Sequence, residues 1–202
     1  MSEGLLLVVL APSGGGKGTI LNEVMHKNEK MCFSVSATTR NPRPGETDGK
    51  EYFFVSHEEF EQMIRNEQVL EYAEYCGNYY GTPKEQVQKW TKEGYDVVLE
   101  IEVQGALQVK KLMPKAVCMF ILPPSLEVLE DRLRRRGTET DEIIKNRMKT
   151  AIKEIKASAF CDYLIINDRL EDAVEDMKAI IKTEKMKMKR NRKFIEEVLK
   201  NA

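Results

Sequence analysis

Residues 5–20, LLLVVLAPSGGGKGTI, constrain the fold more than any other stretch of the chain. Six apolar residues in a row, at strand length, read as a strand buried on both faces, and such strands belong to parallel sheets covered on each side by helices. The run ends in Ala11, Pro12, Ser13, Gly14, Gly15, Gly16, Lys17, Gly18 and Thr19. Glycines let a backbone approach an anion closely with its N–H groups pointing inward, and the helix that follows adds the positive end of its dipole. Lys17 then places a mobile cation on the β- and γ-phosphates of a nucleoside triphosphate, and Thr19 offers a hydroxyl to the phosphates or to Mg²⁺. Against the pattern G-x-x-x-x-G-K-[ST], Ala11 replaces the first glycine and Gly18 holds the Ser/Thr position. An ordinary strand–turn–helix connection needs neither three consecutive glycines nor a lysine at this point.

Further apolar runs at 97–103, 117–122 and 163–166 alternate with charged segments of helical spacing, which predicts a mostly parallel sheet flanked by helices. Pro123-Pro124-Ser125 is a stop followed by a helix cap, and the spacing predicts helices over 126–136, ended by Gly137, over 141–158, and from 171 towards the end. Between 34 and 83 prolines, glycines and aromatics cluster around short strand-like pieces at 52–55 and 69–75, the texture of an inserted lobe. The length of 202 residues fits one unit carrying such a lobe.

The formal charge of −1 gives no general reason to bind nucleic acid. Cys32, Cys76, Cys118 and Cys161 lie far apart with no CxxC spacing, which points to neither a zinc site nor a disulfide framework and fits a reducing cytoplasm. The run at 5–10 is too short to span a membrane, and no lysine or arginine precedes it as in a signal peptide. The basic tail at 182–192 reads as a solvated helix face, with Met186, Met188 and Phe194 covering the core. Glu184, Glu196 and Glu197 interrupt its charge and argue against a membrane-surface or nucleic-acid helix.

A second constellation, SVSATTRNPRPGETDGKEYFF, gathers Ser36, Arg40, Arg43 and Tyr52 in one proline-punctuated loop. Two arginines with hydroxyl donors suit a phosphate monoester. With APSGGGKGT, VLEYAEYCGNYYGTP, VVLEIEVQGA, FILPPS, RLRRRGTE and LIIND in the same order, nearly the whole chain resembles the guanylate kinase family. The resemblance implies a P-loop NTPase α/β fold: a parallel five-stranded sheet flanked by helices, with a lid and an inserted small mixed α/β lobe that binds GMP. The expected boundaries are a core of 1–33, 84–125 and 156–202, a GMP lobe of 34–83 and a lid of about 126–155.

The resemblance further implies transfer of the γ-phosphoryl group of ATP to GMP in purine nucleotide metabolism, with both nucleotides as small-molecule partners and Mg²⁺ as cofactor. No nucleic acid or membrane partner is expected, and a homo-oligomer is compatible with the sequence. ATP falls to residues 11–19 and Asn167. The GMP phosphate falls to Arg40, Arg43, Tyr52 and Tyr80, guanine to Ser36, Glu71 and Thr82, and Glu46 and Glu102 complete the GMP set. Lys17, Arg40, Arg132, Arg136 and Arg147 form the catalytic set, while Thr19 and Glu100, the latter through water, serve the metal. Glu100 and Glu102, expected two apart in one strand, stand where the family often has Asp-x-Asp, and Arg134 and Arg135 are expected to be solvated. Guanine presents N–H donors on its Watson–Crick edge, which a Glu71 carboxylate accepts, whereas adenine shows an unprotonated ring nitrogen there. Two alternatives are a guanylate-kinase-like binding module without catalysis, and a kinase of this fold acting on another phosphorylated acceptor such as a sugar phosphate.

Overall fold

A computed structural model describes residues 3–26, 28–135 and 140–200. Five strands, β1 (Leu6–Leu10), β2 (Met31–Phe33), β7 (Asp96–Leu99), β8 (Val117–Leu122) and β9 (Tyr163–Ile166), form one sheet in the order β2-β7-β1-β8-β9. All four pairings are parallel. Strand β1 lies at the centre and is buried along its whole length. Its alternating side chains build two cores. Leu7 and Val9, with Leu5 just before the strand, pack with Ile20, Leu21 and Val24 of α1 (Lys17–His26) and with Ala173, Met177 and Ile181 of α7 (Leu170–Met186). Leu6, Val8 and Leu10 pack on the opposite side with Val87 of α3 (Lys84–Lys92) and with Ala106 and Val109 of α4 (Val103–Leu112). This two-sided burial is why the run shows no polar alternation.

The second sheet has the order β4-β3-β6-β5, from β3 (Ala37–Thr38), β4 (Phe53–Phe54), β5 (Val69–Tyr75) and β6 (Asn78–Pro83). Strands β3 and β4 run parallel, while β6 is antiparallel to both β3 and β5. Cys76 and Gly77, both at positive φ, make the two-residue turn between β5 and β6, the backbone that matches the right-handed twist of a hairpin. Helix α2 (His57–Arg65) begins with a capping box between Ser56 and Glu59 and buries Phe60 completely against this sheet, stacked on Tyr79 at 5.2 Å. Leu70 of β5 joins the large core beside α3 and α4, which seats the small sheet against the large one.

The remaining helices are α5 (Leu126–Arg134), capped by the Ser125 hydroxyl, α6 (Asp141–Ala157) and α8 (Arg192–Lys200). Gly137, expected to end α5, lies outside the described residues.

Two expectations are corrected. The strand expected over 97–103 stops at Leu99, and Glu102 is already the N-cap of α4, so Glu100 and Glu102 occupy the short connection between β7 and α4 rather than one face of a strand. The apolar residues at 101 and 103 mimic a strand pattern, but QGALQV has helical periodicity and captures Val103. The tail is also not one helix covering the core: α7 ends at Met186, the chain turns at Lys187, and α8 follows. Met186, Met188 and Phe194 are 62%, 71% and 66% exposed. The inward position belongs instead to Glu184, which receives hydrogen bonds from the Tyr163 hydroxyl, Lys187 and Arg190. Asn191 donates to the carbonyls of Lys185 and Lys187 and fixes the turn. No helix among the described residues is long and apolar enough to cross a membrane.

Removing the Phe60 ring leaves a void that the two-layer lobe cannot refill. Phe60→Ala is expected to lower unfolding free energy by about 3–5 kcal/mol, read by urea titration.

Candidate active site

The loop after β1 sits at the carboxyl edge of the sheet, where the connections leave β1 first towards β2 and later towards β8, so a crevice opens there. Gly16 has φ +90°, and a Cβ on it would lie 2.2 Å from Nδ2 of Asn167. Both the backbone conformation and the close approach demand glycine. Asn167, buried just beyond β9, donates its backbone N–H to the Leu122 carbonyl at 2.8 Å and its side-chain amide to the Gly15 carbonyl at 2.8 Å. Its own carbonyl accepts from Nη2 of Arg132 at 2.8 Å. The phosphate loop, the last core strand and helix α5 thus meet at one asparagine, which is bonded to the loop from the end of β9.

Lys17 opens α1, and its Nζ lies 3.6 Å from a carboxylate oxygen of Glu100, just past β7. Both side chains are partly exposed, and the separation is longer than a hydrogen bond, so the ammonium is held by charge alone. Gly18 and Thr19 are exposed in the first turn of α1, and a Cβ on Gly18 would meet nothing within 4 Å. No group of three or more His, Cys, Asp or Glu among the described residues could hold a metal. Mg²⁺ keeps several waters and binds through one or two side chains plus substrate phosphates. The exposed oxygens of Thr19 and Glu100 fit this role.

Helices α5 and α6 bring arginines to the same edge. Nη1 of Arg132 is buried without a hydrogen-bond partner among the described residues, an unusual state for a guanidinium and one that an anion would relieve. Arg147 of α6 donates to the Ser13 hydroxyl at 3.1 Å. Arg136 lies outside the described residues. Arg134 and Arg135 are both exposed, and Arg134 bridges Glu130 of α5 and Asp141 of α6.

The sequence reading missed Glu154. One of its carboxylate oxygens is buried without a partner, and burial, with the nearby charge of Glu102, pushes its pKa up against the opposing pull of Lys17 and the Ser13 amide. Arg147, Ala151 and Glu154 stand at i, i+4 and i+7, one face of α6, with Ala151 fully buried. That spacing, a small residue between opposite charges, was the available signal.

On the other side, a cleft of about 180 Å³ is lined by Ser34, Ser36, Tyr52, Thr82 and Glu100 among others. Glu71, only 7% exposed, accepts a hydrogen bond from the Thr82 hydroxyl at 2.7 Å. Its other oxygen faces Gly105 of α4, where a Cβ would sit 2.6 Å away. Burial pushes the Glu71 pKa up, Thr82 pulls it partly back, and the charge of Glu102 adds to the rise. Ser34, unnoticed in the sequence, has a buried hydroxyl without a partner.

Arg40 is fixed from two directions. Glu46 accepts from both guanidinium nitrogens at 2.9 and 3.0 Å, and the guanidinium lies 5.4 Å from the Tyr52 ring centre and 5.7 Å from that of Phe54. Tyr80 stands edge-on to Tyr52 with ring centres 6.0 Å apart. Glu46 also accepts the Arg43 amide at 2.7 Å, so it works here as the brace of the arginine loop, while Arg43 itself is exposed. Hydrogen bonds with Arg40, then the Arg43 amide, hold the Glu46 carboxyl below its ordinary range. Glu100, lining the cleft and facing Lys17, joins the two halves.

This geometry has close counterparts. The guanylate kinase family model matches residues 3–184. A guanylate kinase of Carboxydothermus hydrogenoformans is 52% identical over 190 residues, 94% of this chain and 93% of that protein. One of Bacillus cereus is 50% identical over 197 residues, covering 97% and 96%. The crystal structure of guanylate kinase from Anaplasma phagocytophilum superposes with a TM-score of 0.69 at 35% identity, covering 94% of this chain and 90% of that one. With a five-stranded parallel sheet, a glycine loop opening a helix at its carboxyl edge and this extent of similarity, the chain is an α/β P-loop protein that belongs to the guanylate kinase family of nucleoside monophosphate kinases.

Proposed function

We propose that the chain transfers the γ-phosphoryl group of ATP to GMP, giving ADP and GDP, and that it requires Mg²⁺. The observation that carries this reading is Glu100, which lines the cleft holding Ser36 and Thr82 while facing Lys17 of the phosphate loop. Acceptor and donor chemistry therefore adjoin at one side chain. Residues 34–83 act as the GMP lobe and about 126–155 as the lid. The cytoplasm is the expected compartment and recycling of GMP the metabolic role.

In this reading Glu71 accepts the guanine N–H groups in a pocket where water is scarce, with Ser36 and Thr82 beside it. Arg40, already stretched out by Glu46, and the hydroxyls of Tyr52 and Tyr80 hold the GMP phosphate in line. Arg43 turns in from its exposed position. The acceptor phosphate, with a second pKa of about 6, is largely ionised near neutral pH and needs no general base. Catalysis reduces to alignment and charge neutralisation. Lys17 leaves Glu100 for the phosphates, and the unsatisfied Nη1 of Arg132, with Arg147 and Arg136, meets charge on the transferring group. Thr19 and, through water, Glu100 would hold Mg²⁺, which would supply positive charge against that of the phosphates.

The decisive experiment is a coupled assay of ADP formation from ATP and Mg²⁺ with GMP, AMP, CMP, UMP or no acceptor. Turnover with GMP alone is expected. Absence of turnover in protein that still binds GMP would instead mark a binding module.

Lys17→Ala should lower kcat by about 100-fold or more with the circular dichroism spectrum unchanged. Glu71→Gln should narrow the kcat/KM preference for GMP over AMP by at least about tenfold. Because the Glu71 pKa is raised, the carboxylate takes up its proton at a higher pH than an ordinary glutamate as the solution is acidified. The GMP KM should therefore climb on acidification already above the usual carboxylate range. Phosphate titration affects both proteins alike, so the difference between wild type and Glu71→Gln isolates the side chain.

A further inference from the structure

Cys118 and Cys161, 43 positions apart in sequence, place their sulfurs 2.8 Å from each other. Cys118 lies in β8 with no exposed surface, and Cys161 follows the short 3₁₀ turn Ser158–Phe160 that links α6 to β9. The frame around them is tight. The Cys118 amide donates to the Asp162 carboxylate at 2.8 Å, and the Asp162 amide returns a bond to the Cys118 carbonyl at 2.9 Å. Lys110 of α4 fixes Asp162 by contacts of 2.8 and 3.0 Å and also donates to the Ala116 carbonyl. A further approach of roughly 0.8 Å would bring the sulfurs to the bond length of about 2.05 Å. No part of the phosphoryl-transfer site uses either thiol.

We propose that Cys118 and Cys161 form a dithiol oxidation site, closing reversibly to an intramolecular disulfide with hydrogen peroxide as the oxidant. Access sets the order of events. Cys161 is partly exposed and opens on a shallow cleft bounded by Phe120, Ser158, Ala159 and Leu164, whereas Cys118 has no exposed surface. The contact with Cys161 and burial push the Cys118 pKa up. Cys161, the sulfur that peroxide can reach, is the one that attacks.

In the first step the Cys161 sulfur attacks one peroxide oxygen, the O–O bond breaks, and the departing hydroxide takes up the thiol proton as water, leaving a sulfenic acid. In the second step the Cys118 sulfur attacks the Cys161 sulfur, the S–O bond breaks, and a second water carries away the hydroxyl and the Cys118 proton. The sum is two thiols and one peroxide to one disulfide and two waters. The bond joins the two ends of the segment that carries α5 and α6, and with them Arg132 and Arg147.

The test treats the purified full chain with hydrogen peroxide, quenches with catalase, and measures free thiols, intact mass, a non-reducing tryptic map and Tm. Expected are the loss of two of the four thiols and of two hydrogen atoms, a link between the peptides holding Cys118 and Cys161, and reversal by dithiothreitol. Closing a loop of this length should raise Tm by about 5–10 °C. Cys118→Ser should trap the sulfenic acid on Cys161 as a dimedone adduct. A link through Cys32 or Cys76, thiol loss without any link, or an unchanged Tm would overturn the proposal, as would a dimedone adduct confined to Cys118 in Cys161→Ser. None of these readouts depends on kinase activity.

Discussion

Burial of β1 on both faces is the constraint from which the remaining structure follows. A strand of five apolar residues has no polar side to give to water, so helices must close over each face and the sheet must extend on each edge. Helices α1 and α7 cover one side, α3 and α4 the other. The loop that leaves such a strand emerges at the centre of the carboxyl edge, and α1 starts there with its unpaired N–H groups pointing outward. The phosphate cradle is thus a product of the core's geometry, and Asn167 secures it by taking up the Gly15 carbonyl.

Charge in the site is arranged around partners that a ligand can replace. Lys17 waits on Glu100 without a hydrogen bond, and Arg147 rests on the Ser13 hydroxyl. Arg40 differs: with two hydrogen bonds to Glu46 and two aromatic rings nearby, its direction is fixed before any ligand arrives, which cuts the entropy lost on binding. Glu71 carries the opposite cost. Its carboxylate is desolvated beside Glu102 with Thr82 as its donor among the described residues, so N–H groups of a ligand edge would satisfy what the fold leaves open.

Legibility of the sequence depended on whether a signal was local. The strand at β1, the glycine loop, β5, β8 and β9 could be read because their apolar runs, turn residues and caps act over a few neighbours. The passage from β7 to α4 was misread: Ile101 and Val103 sustain a strand pattern that the helical spacing beyond them overrides. In the tail, helix propensity continues through Lys187, but Glu184 finds Tyr163, Lys187 and Arg190 inside and the chain turns, leaving the methionines outside.

By itself the sequence determined the class of fold and the phosphate loop, because hydrophobic period and glycine chemistry are properties of adjacent residues. Tertiary structure alone decided that Glu46 braces Arg40, that Glu154 reaches the phosphate loop from α6, that Arg132 keeps a free donor beside Asn167, and that Cys118 meets Cys161. The last three of these relations join residues on elements brought together by the pairing of β8 with β9 and by the placing of α5 and α6 at the sheet edge, while the Arg40–Glu46 pair depends on how the loop over 40–46 folds. No pattern along the chain encodes such a distance.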